Sequence, residues 1–414
     1  MLLSPGFQKR VEAGLAALRV MFAGICAVGI FPRRLGHIFC GAVIAAVALP
    51  ALSFAQNENL RLNEIQYIGT HNSYHQQPDQ RFLAYMLASK YNDGTIWPAD
   101  RLVPALSYTH ERLARQLERG IRNLEIDVYY DHDGGHFLHP GAIETLAKSQ
   151  VVRLDAPPAT VLKVPGFKVM HMADLDFRSN CWSLLSCFSE MKYWSDVHPD
   201  HVPIILMIEV KEGAAAPLSP DYKPANVLKF DTKAWAALEA EILSVFPRDR
   251  LVTPDLVRAD APTLRQAITR SGWPQLDAMR GRVLLTLNAK PAAQENYLKL
   301  HTGGHGGLFF CDHGLADPET IWVFRKNPYA TDLPSLVRSG YLVYTRADAD
   351  GLEARQNNTA RRDRAFTAAQ VISTDYPAPD PAVGIYRAVF PDGGYVRANP
   401  LLRPALQAEL GKSD

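Results

Sequence analysis

Eight short runs rich in Val, Ile, Leu, Phe and Tyr alternate along this chain with stretches of helical spacing, and few folds accept that order. The runs are 65–69, 121–129, 167–171, 203–210, 282–287, 307–311, 341–345 and 371–374. Helical spacing or composition marks 110–119, 183–196, 233–246 and 355–369. Several runs are continuously apolar, as strands are when helices cover a sheet, and the alternation favours parallel strands. Eight such units are what a (β/α)8 barrel requires. A doubly wound open sheet gives a similar alternation, but no Gly-rich nucleotide turn follows the first run. The expected class is therefore α/β, a TIM-type (β/α)8 barrel distorted by long loops. Two irregular segments exceed ordinary connections: 74–108, after the first run, and the tail 377–414, which must wrap the barrel or add a small cap.

The chain has 414 residues, 47% hydrophobic and 21% charged, enough to bury a sizeable core. No internal repeat or low-complexity linker divides it, so residues 56–414 read as one domain. Residues 1–55 read as a secretion signal. Arg33 and Arg34 precede an apolar stretch from 35 to 52, and Ser53-Phe54-Ala55 offers a small-x-small cleavage pattern. A secreted or periplasmic product is expected. Lys plus Arg number 44 against 43 acidic residues, so there is no basic field to attract nucleic acid. Of the cysteines outside the signal, Cys181 and Cys187 are near neighbours in an oxidising compartment and are expected to pair, which leaves Cys311 as a buried thiol. The sequence specifies no oligomeric state.

Barrel active sites form at the carboxyl ends of the strands, where the reactive residue types of this chain recur. The first run ends in His71-Asn72-Ser73-Tyr74. The second carries Glu125 and Asp127, whose i, i+2 spacing points both carboxylates to one face. The third ends at His171, and the fourth ends with Glu209, followed two residues on by Lys211. Three carboxylates converging inside a barrel repel one another and lose hydration unless they are protonated or neutralised. A hard divalent cation fits that need, and Ca2+ takes about 6 to 8 oxygen ligands. Glu125, Asp127, Glu209 and the amide oxygen of Asn72 are the expected ligands; Mg2+, which keeps more of its water, fits less well. Imidazoles titrate near neutral pH, so His71 and His171 flanking the cation suit a reaction that removes one proton and delivers another. Phosphodiester cleavage is such a reaction.

These segments together resemble the calcium-dependent phosphatidylinositol-specific phospholipases C, and most closely the secreted bacterial branch. The resemblance rests on residues 65–78, on Gly120-Ile121-Arg122-Asn123-Leu124-Glu125-Ile126-Asp127, on Val169-Met170-His171 through Asp176-Phe177-Arg178, and on residues 203–211. It continues in order through Leu251-Val252-Thr253-Pro254-Asp255 and Gly272-Trp273-Pro274 to Thr345-Arg346-Ala347-Asp348 and Ser373-Thr374-Asp375-Tyr376-Pro377. The resemblance implies His71 and His171 as the catalytic pair, and Asn72, Glu125, Asp127 and Glu209 as calcium ligands. It implies a phosphoinositide-type lipid as substrate, met by transient contact with a membrane surface. The implied reaction is attack of the inositol 2-hydroxyl on phosphorus, releasing diacylglycerol and an inositol cyclic phosphate. His171 would protonate the departing glycerol oxygen, His71 would stabilise phosphate or transfer a proton, and Glu209 or another metal-bound carboxylate would act as base. Glycerophosphodiester phosphodiesterases are the nearest rival, but their first histidine is usually followed by Arg-Gly, where Asn72-Ser73 stands here. A non-catalytic lipid- or sugar-binding barrel is a third reading, opposed by the presence of all five acidic and histidine positions.

Other residues have two readings each. Lys211 contacts phosphate or pairs with Glu209. Arg346 holds phosphate or inositol hydroxyls, or pairs with Asp348. Tyr376 stacks on the inositol ring or packs. Asp131, His132, Asp133, His136 and His139 form a second metal cluster or a solvated turn, and the turn is favoured. Phe177, Trp182, Leu184, Leu185 and Phe188 touch lipid or form the apolar face of a covering helix, and the core is favoured. The Gly-rich stretch 303–307 is expected to be a plain loop, since no Lys-Ser/Thr follows it.

Overall fold

A computed structural model of the chain describes residues 59–91, 98–148, 155–216 and 222–406; the expected signal at 1–55 lies outside the described residues. The strands in chain order are β1 (Ile65–Thr70), β2 (Asn123–Tyr129), β3 (Lys168–Val169), β4 (Ile204–Val210), β5 (Leu251–Val252), β6 (Val283–Asn288), β7 (Phe309–Phe310), β8 (Trp322–Phe324), β9 (Leu342–Arg346), β10 (Val371–Thr374) and β11 (Val396–Ala398). Eight of them pair in parallel in the order β7, β6, β4, β2, β1, β10, β9, β8, with helices in the connections, and a ninth, β5, pairs in parallel with β6. This is a curled TIM-type sheet, open at one seam. Among the described residues no ladder joins β7 to β8. Side chains stitch that seam instead: Asp312 accepts the Phe324 N–H at 3.0 Å, and Thr320 accepts the His313 N–H at 3.1 Å.

Strand periodicity explains the two faces. Leu124, Ile126 and Val128 of β2, Ile204, Leu206, Ile208 and Val210 of β4, and Val283, Leu285 and Leu287 of β6 all join one buried apolar cluster. That cluster also takes Leu184, Phe188 and Met191 from the helix Leu184–Val197, and Trp235, Leu238 and Ile242 from the helix Thr232–Val245. The alternate residues of these strands therefore face the barrel interior, Glu125, Asp127 and Glu209 among them. Pairing of Asp127 with Glu209 and of Glu209 with Asn288 sets three polar side chains in one row across β2, β4 and β6.

Three expectations are corrected, and for the tail one of two alternatives holds. The run 167–171 is not a barrel strand: β3 runs antiparallel to β2, with Val169 opposite Val128, so His171 reaches the site from the opposite direction. Its place in the barrel is taken by β8, which no run anticipated; it is three residues long, ladders only with β9, and is followed at once by Arg325 and Lys326. The segment 74–108 is not irregular throughout, since it holds the helices Gln80–Ala88 and Ala99–Leu106. The stretch 355–369 divides between the short helices Leu352–Arg355 and Ala360–Phe366, with Asn357 at φ 49° between them. The tail wraps rather than caps: β11 pairs antiparallel with β1, Ala398 opposite Ile65. Among the described residues no helix is long and apolar enough to cross a membrane.

Gly69 sits where β1 meets β2, opposite Asn123, and a Cβ there would lie 2.2 Å from the Asn123 carbonyl oxygen and amide nitrogen. Gly69→Ala must push the two strands apart. We expect it to lower unfolding free energy by about 1–3 kcal/mol in a denaturant titration; an unchanged midpoint would contradict the close approach.

Candidate active site

Each site residue is set at the carboxyl end of the sheet by a definite local structure. His71 follows β1, and its backbone N–H donates to the Thr374 carbonyl at the end of β10 at 3.0 Å. Asn72 takes φ 46°, a conformation that Asn tolerates better than most residues, and turns the chain so that Ser73 N–H reaches the Glu125 carbonyl at 2.8 Å. The Asn72 amide nitrogen donates to the Tyr108 hydroxyl at 3.0 Å, which identifies the oxygen as the end left for a ligand. Past β3, the chain makes a tight return: Met172 and Asp176 bridge, which brings the Asp176 carboxylate back to His171.

The carboxylates of Glu125, Asp127 and Glu209 each offer an oxygen within 4.8 Å of the others. Lys211 lies among them, its Nζ 2.9 Å from Glu209 Oε1 and 3.0 Å from Asp127 Oδ2. Lys211 is the ammonium in contact with them, while Lys326 and Arg346 act on Glu125 from farther off. Glu125 Oε2 and Asp127 Oδ1 are buried without a hydrogen-bond partner. Orphaned carboxylate oxygens inside a protein are costly, so this donor set, all of it carboxylate oxygen, fits a hard divalent cation. Burial, then repulsion from Asp127 and Glu209, pushes the Glu125 carboxyl well up. Burial also raises Asp127, against the pull of Lys211. Burial works the same way on Glu209, but Lys211 prevails and holds it down to about 2.

Two histidines flank this cluster, each backed by a buried carboxylate. His71 Nδ1 lies 2.8 Å from Asp375 Oδ1, and its Nε2 is 4.0 Å from Glu125 Oε1. Arg346 Nη2 donates to the other Asp375 oxygen at 2.7 Å. Burial, reinforced by Arg346, lowers the His71 imidazole to about 3, against the pull of Asp375. On the other side His171 Nδ1 lies 2.7 Å from Asp176 Oδ2. The charge of His171 acts on His71, Asp127 and Glu209, so the two histidines and the carboxylates share one electrostatic site.

The structure thus gathers His71, Asn72, Glu125, Asp127, His171, Glu209 and Lys211 at one end of the barrel. Lys211 pairs with Glu209, as one of its readings had it, and with Asp127 as well. Arg346 is engaged chiefly by Asp375, with Asp348 farther off at 3.8 Å. Tyr376 is 1% exposed and packs edge-on to Tyr386 and Tyr108, so packing, not an open stacking face, describes its place. Asp131, His132, Asp133, His136 and His139 form no metal-binding group among the described residues; Asp131 instead pairs with Lys168 at 3.2 Å. Phe177, Leu184 and Phe188 are core, while Leu185 is exposed. Cys181 and Cys187 form the expected disulfide, and Cys311 is a buried thiol.

Sequence reasoning missed the partners. Asp375 directly follows β10, so the strand-end rule that flagged His71 applied to it equally. Asp176, five residues after His171, and His75, an apparent loop residue, obey no periodicity and had no such signal.

The family model described as phosphoinositide phospholipase C, Ca2+-dependent, matches residues 60–400. No curated protein sequence is significantly similar to the chain. Among solved structures, the chain is similar to a calcium-dependent phosphoinositol-specific phospholipase C from a Gram-negative Pseudomonas species, with 15% identity over 82% of this chain and 96% of that one and a TM-score of 0.47. A Ca2+-dependent phosphatidylinositol-specific phospholipase C from Streptomyces antibioticus gives 18% identity over 76% and 94%, TM-score 0.46. The phosphatidylinositol-specific phospholipase C of Listeria monocytogenes gives 12% over 77% and 90%, TM-score 0.39.

Burial and its neighbours raise the Glu125 carboxyl, so a cation entering this cluster competes there with a proton. Binding therefore releases protons, and affinity rises with pH through the range where Glu125 ionises. Calorimetry in buffers of different ionisation enthalpy reads the released protons directly, and a pH-independent affinity would contradict the assignment. Asp127→Asn removes a charge from this candidate ligand group and should weaken Ca2+ binding by about tenfold or more.

Proposed function

The chain belongs to the family of Ca2+-dependent phosphoinositide phospholipases C, and from that premise we propose that it cleaves phosphatidylinositol, or its glycosylated forms, to diacylglycerol and an inositol cyclic phosphate. One observation supports this reading above the others: two histidines, each held at Nδ1 by a buried carboxylate, flank three carboxylates, two of which, Glu125 and Asp127, carry unpartnered oxygens. Ca2+ would be held by Glu125, Asp127, Glu209 and Asn72, and when bound supplies positive charge for the phosphate oxygens and lowers the barrier to ionising the attacking hydroxyl.

The protein's own groups account for the proton movements. With Nδ1–H directed to Asp375, neutral His71 presents a bare Nε2 and takes the proton of the inositol 2-hydroxyl as that oxygen bonds to phosphorus. Glu209 is the poorer base, because Lys211 and Asn288 already occupy its two oxygens. With Nδ1–H directed to Asp176, His171 delivers a proton from Nε2 to the glycerol oxygen as the phosphorus–oxygen bond breaks. Arg346 fixes Asp375 behind His71. Exposed Leu315, Leu352 and Ile385, in the connections that follow β7, β9 and β10, favour transient contact with a lipid surface at the site's end of the barrel. The signal-like residues 1–55 and the Cys181–Cys187 disulfide support a location outside the cytosol.

The test is 31P NMR of the protein with phosphatidylinositol or phosphatidylcholine vesicles, with Ca2+ or a chelator. Inositol cyclic phosphate is expected from phosphatidylinositol with Ca2+ alone; release of glycerol 3-phosphate from deacylated lipids, without attack on vesicles, would instead mark a glycerophosphodiesterase. His171→Ala should suppress cleavage of the lipid by about 100-fold or more, yet spare an activated aryl ester of inositol phosphate, whose leaving group needs little acid. Equal losses on both would remove His171 from the acid's role.

A further inference from the structure

His75 has no part in the chemistry above, yet it meets the same oxygen as His171. Its Nε2 lies 2.7 Å from Asp176 Oδ2, and His171 Nδ1 lies 2.7 Å from that atom too. The other ring nitrogen, Nδ1, is 3.0 Å from the Tyr108 carbonyl, and the ring stacks on the Tyr108 ring at 4.1 Å and 23°. The backbone is equally tied: His75 N–H donates to the Asn72 carbonyl at 2.8 Å, the His75 carbonyl accepts from His110 N–H at 2.9 Å, and His75 bridges Ser179. Both His75 and Asp176 are fully buried, so His75 reaches no substrate.

Donor and acceptor types fix the protons. A carbonyl only accepts, so His75 Nδ1 carries a hydrogen. An ionised carboxylate only accepts, so His75 Nε2, 2.7 Å from Asp176 Oδ2, is placed to donate there as well. One carboxylate oxygen thus receives two N–H donors. It is fixed from the His75 side whatever His171 does as its proton leaves and returns. The buried charge on Asp176 also has a partner that does not take part in turnover, which offsets the cost of its burial.

We infer that His75 is a positioning residue: it clamps Asp176 so that Asp176 holds the His171 ring by Nδ1 and keeps Nε2 aimed at the leaving oxygen. This rests on the reading of His171 as the acid.

The test compares His75→Gln, whose amide nitrogen falls where Nε2 was, with His75→Asn, whose shorter amide reaches toward Tyr108 but not Asp176. Both are run beside His171→Ala on phosphatidylinositol vesicles and on the aryl ester. His75→Asn should lose about 30-fold or more on the lipid and about fivefold or less on the ester, while His75→Gln stays within about fivefold of the unmodified protein on both. Parallel loss on both substrates by His75→Asn, or no advantage of Gln over Asn, would overturn the inference. A leaving-group-selective His171→Ala beside an unselective His75→Asn sinks this inference alone; an unselective His171→Ala sinks the reading beneath it. Should the Asn variant not fold, a long-range 15N–1H spectrum of the unmodified protein decides: protons on both His75 nitrogens support the clamp, and a bare Nε2 overturns it.

Discussion

Repulsion among three carboxylates is the constraint around which the carboxyl end of this barrel is organised. Glu125, Asp127 and Glu209 stand within one ligand sphere, and a single ammonium, Lys211, is set among them. Packing alone would not keep such a group together, because each ionised oxygen raises the cost of ionising the next. The arrangement persists because the sheet gives it no freedom to spread: Asp127 and Glu209 are register partners on adjacent parallel strands. A rigid row of like charges is a poor structural device but a good receptor for a small dication.

The two histidines show the same logic in paired form. Each has a carboxylate on Nδ1, which fixes the tautomer and leaves Nε2 for the substrate side. The carboxylates are themselves held, Asp375 by Arg346 and Asp176 by His75. Asp348 supports the first chain in turn, accepting the Asp375 N–H at 2.9 Å, while burial and the Asp375 charge raise its own carboxyl to about 6. In the first chain the Arg346 guanidinium lies between Asp375 and Asp348, so the buried Asp375 carboxylate has a neighbour of opposite sign.

The parts of this site legible in the sequence were those governed by short-range periodicity. Glu-x-Asp on a strand places two carboxylates on one face by covalent geometry, and a strand end announces His71 and Glu209. What depended on chain reversal was not legible. The run ending in His171 had the composition of a barrel strand, but two residues of antiparallel pairing with β2 set its direction. β8 was lost because three residues carry too little pattern, and a strand with one ladder partner needs less apolar surface. His75 and Asp176 lie 101 residues apart and meet only because the segments bearing them bridge at Ser179. Composition records no trace of such a meeting.

The open seam shows why the fold tolerates its own irregularity. A closed barrel gives every strand two ladder neighbours, and here β7 and β8 forgo one each. The strands that position the site are β9, β10, β1, β2, β4 and β6, and each of these is paired on both edges. The distortion is therefore placed where none of the proposed catalytic or ligating groups depends on ladder geometry. At the seam, side-chain bonds such as Asp312 to Phe324 suffice, because they need only hold the edges near each other. Around Asp127, by contrast, an oxygen displaced by an ångström would leave the ligand sphere, and the continuous ladders from β2 to β4 and from β4 to β6 are what prevent it.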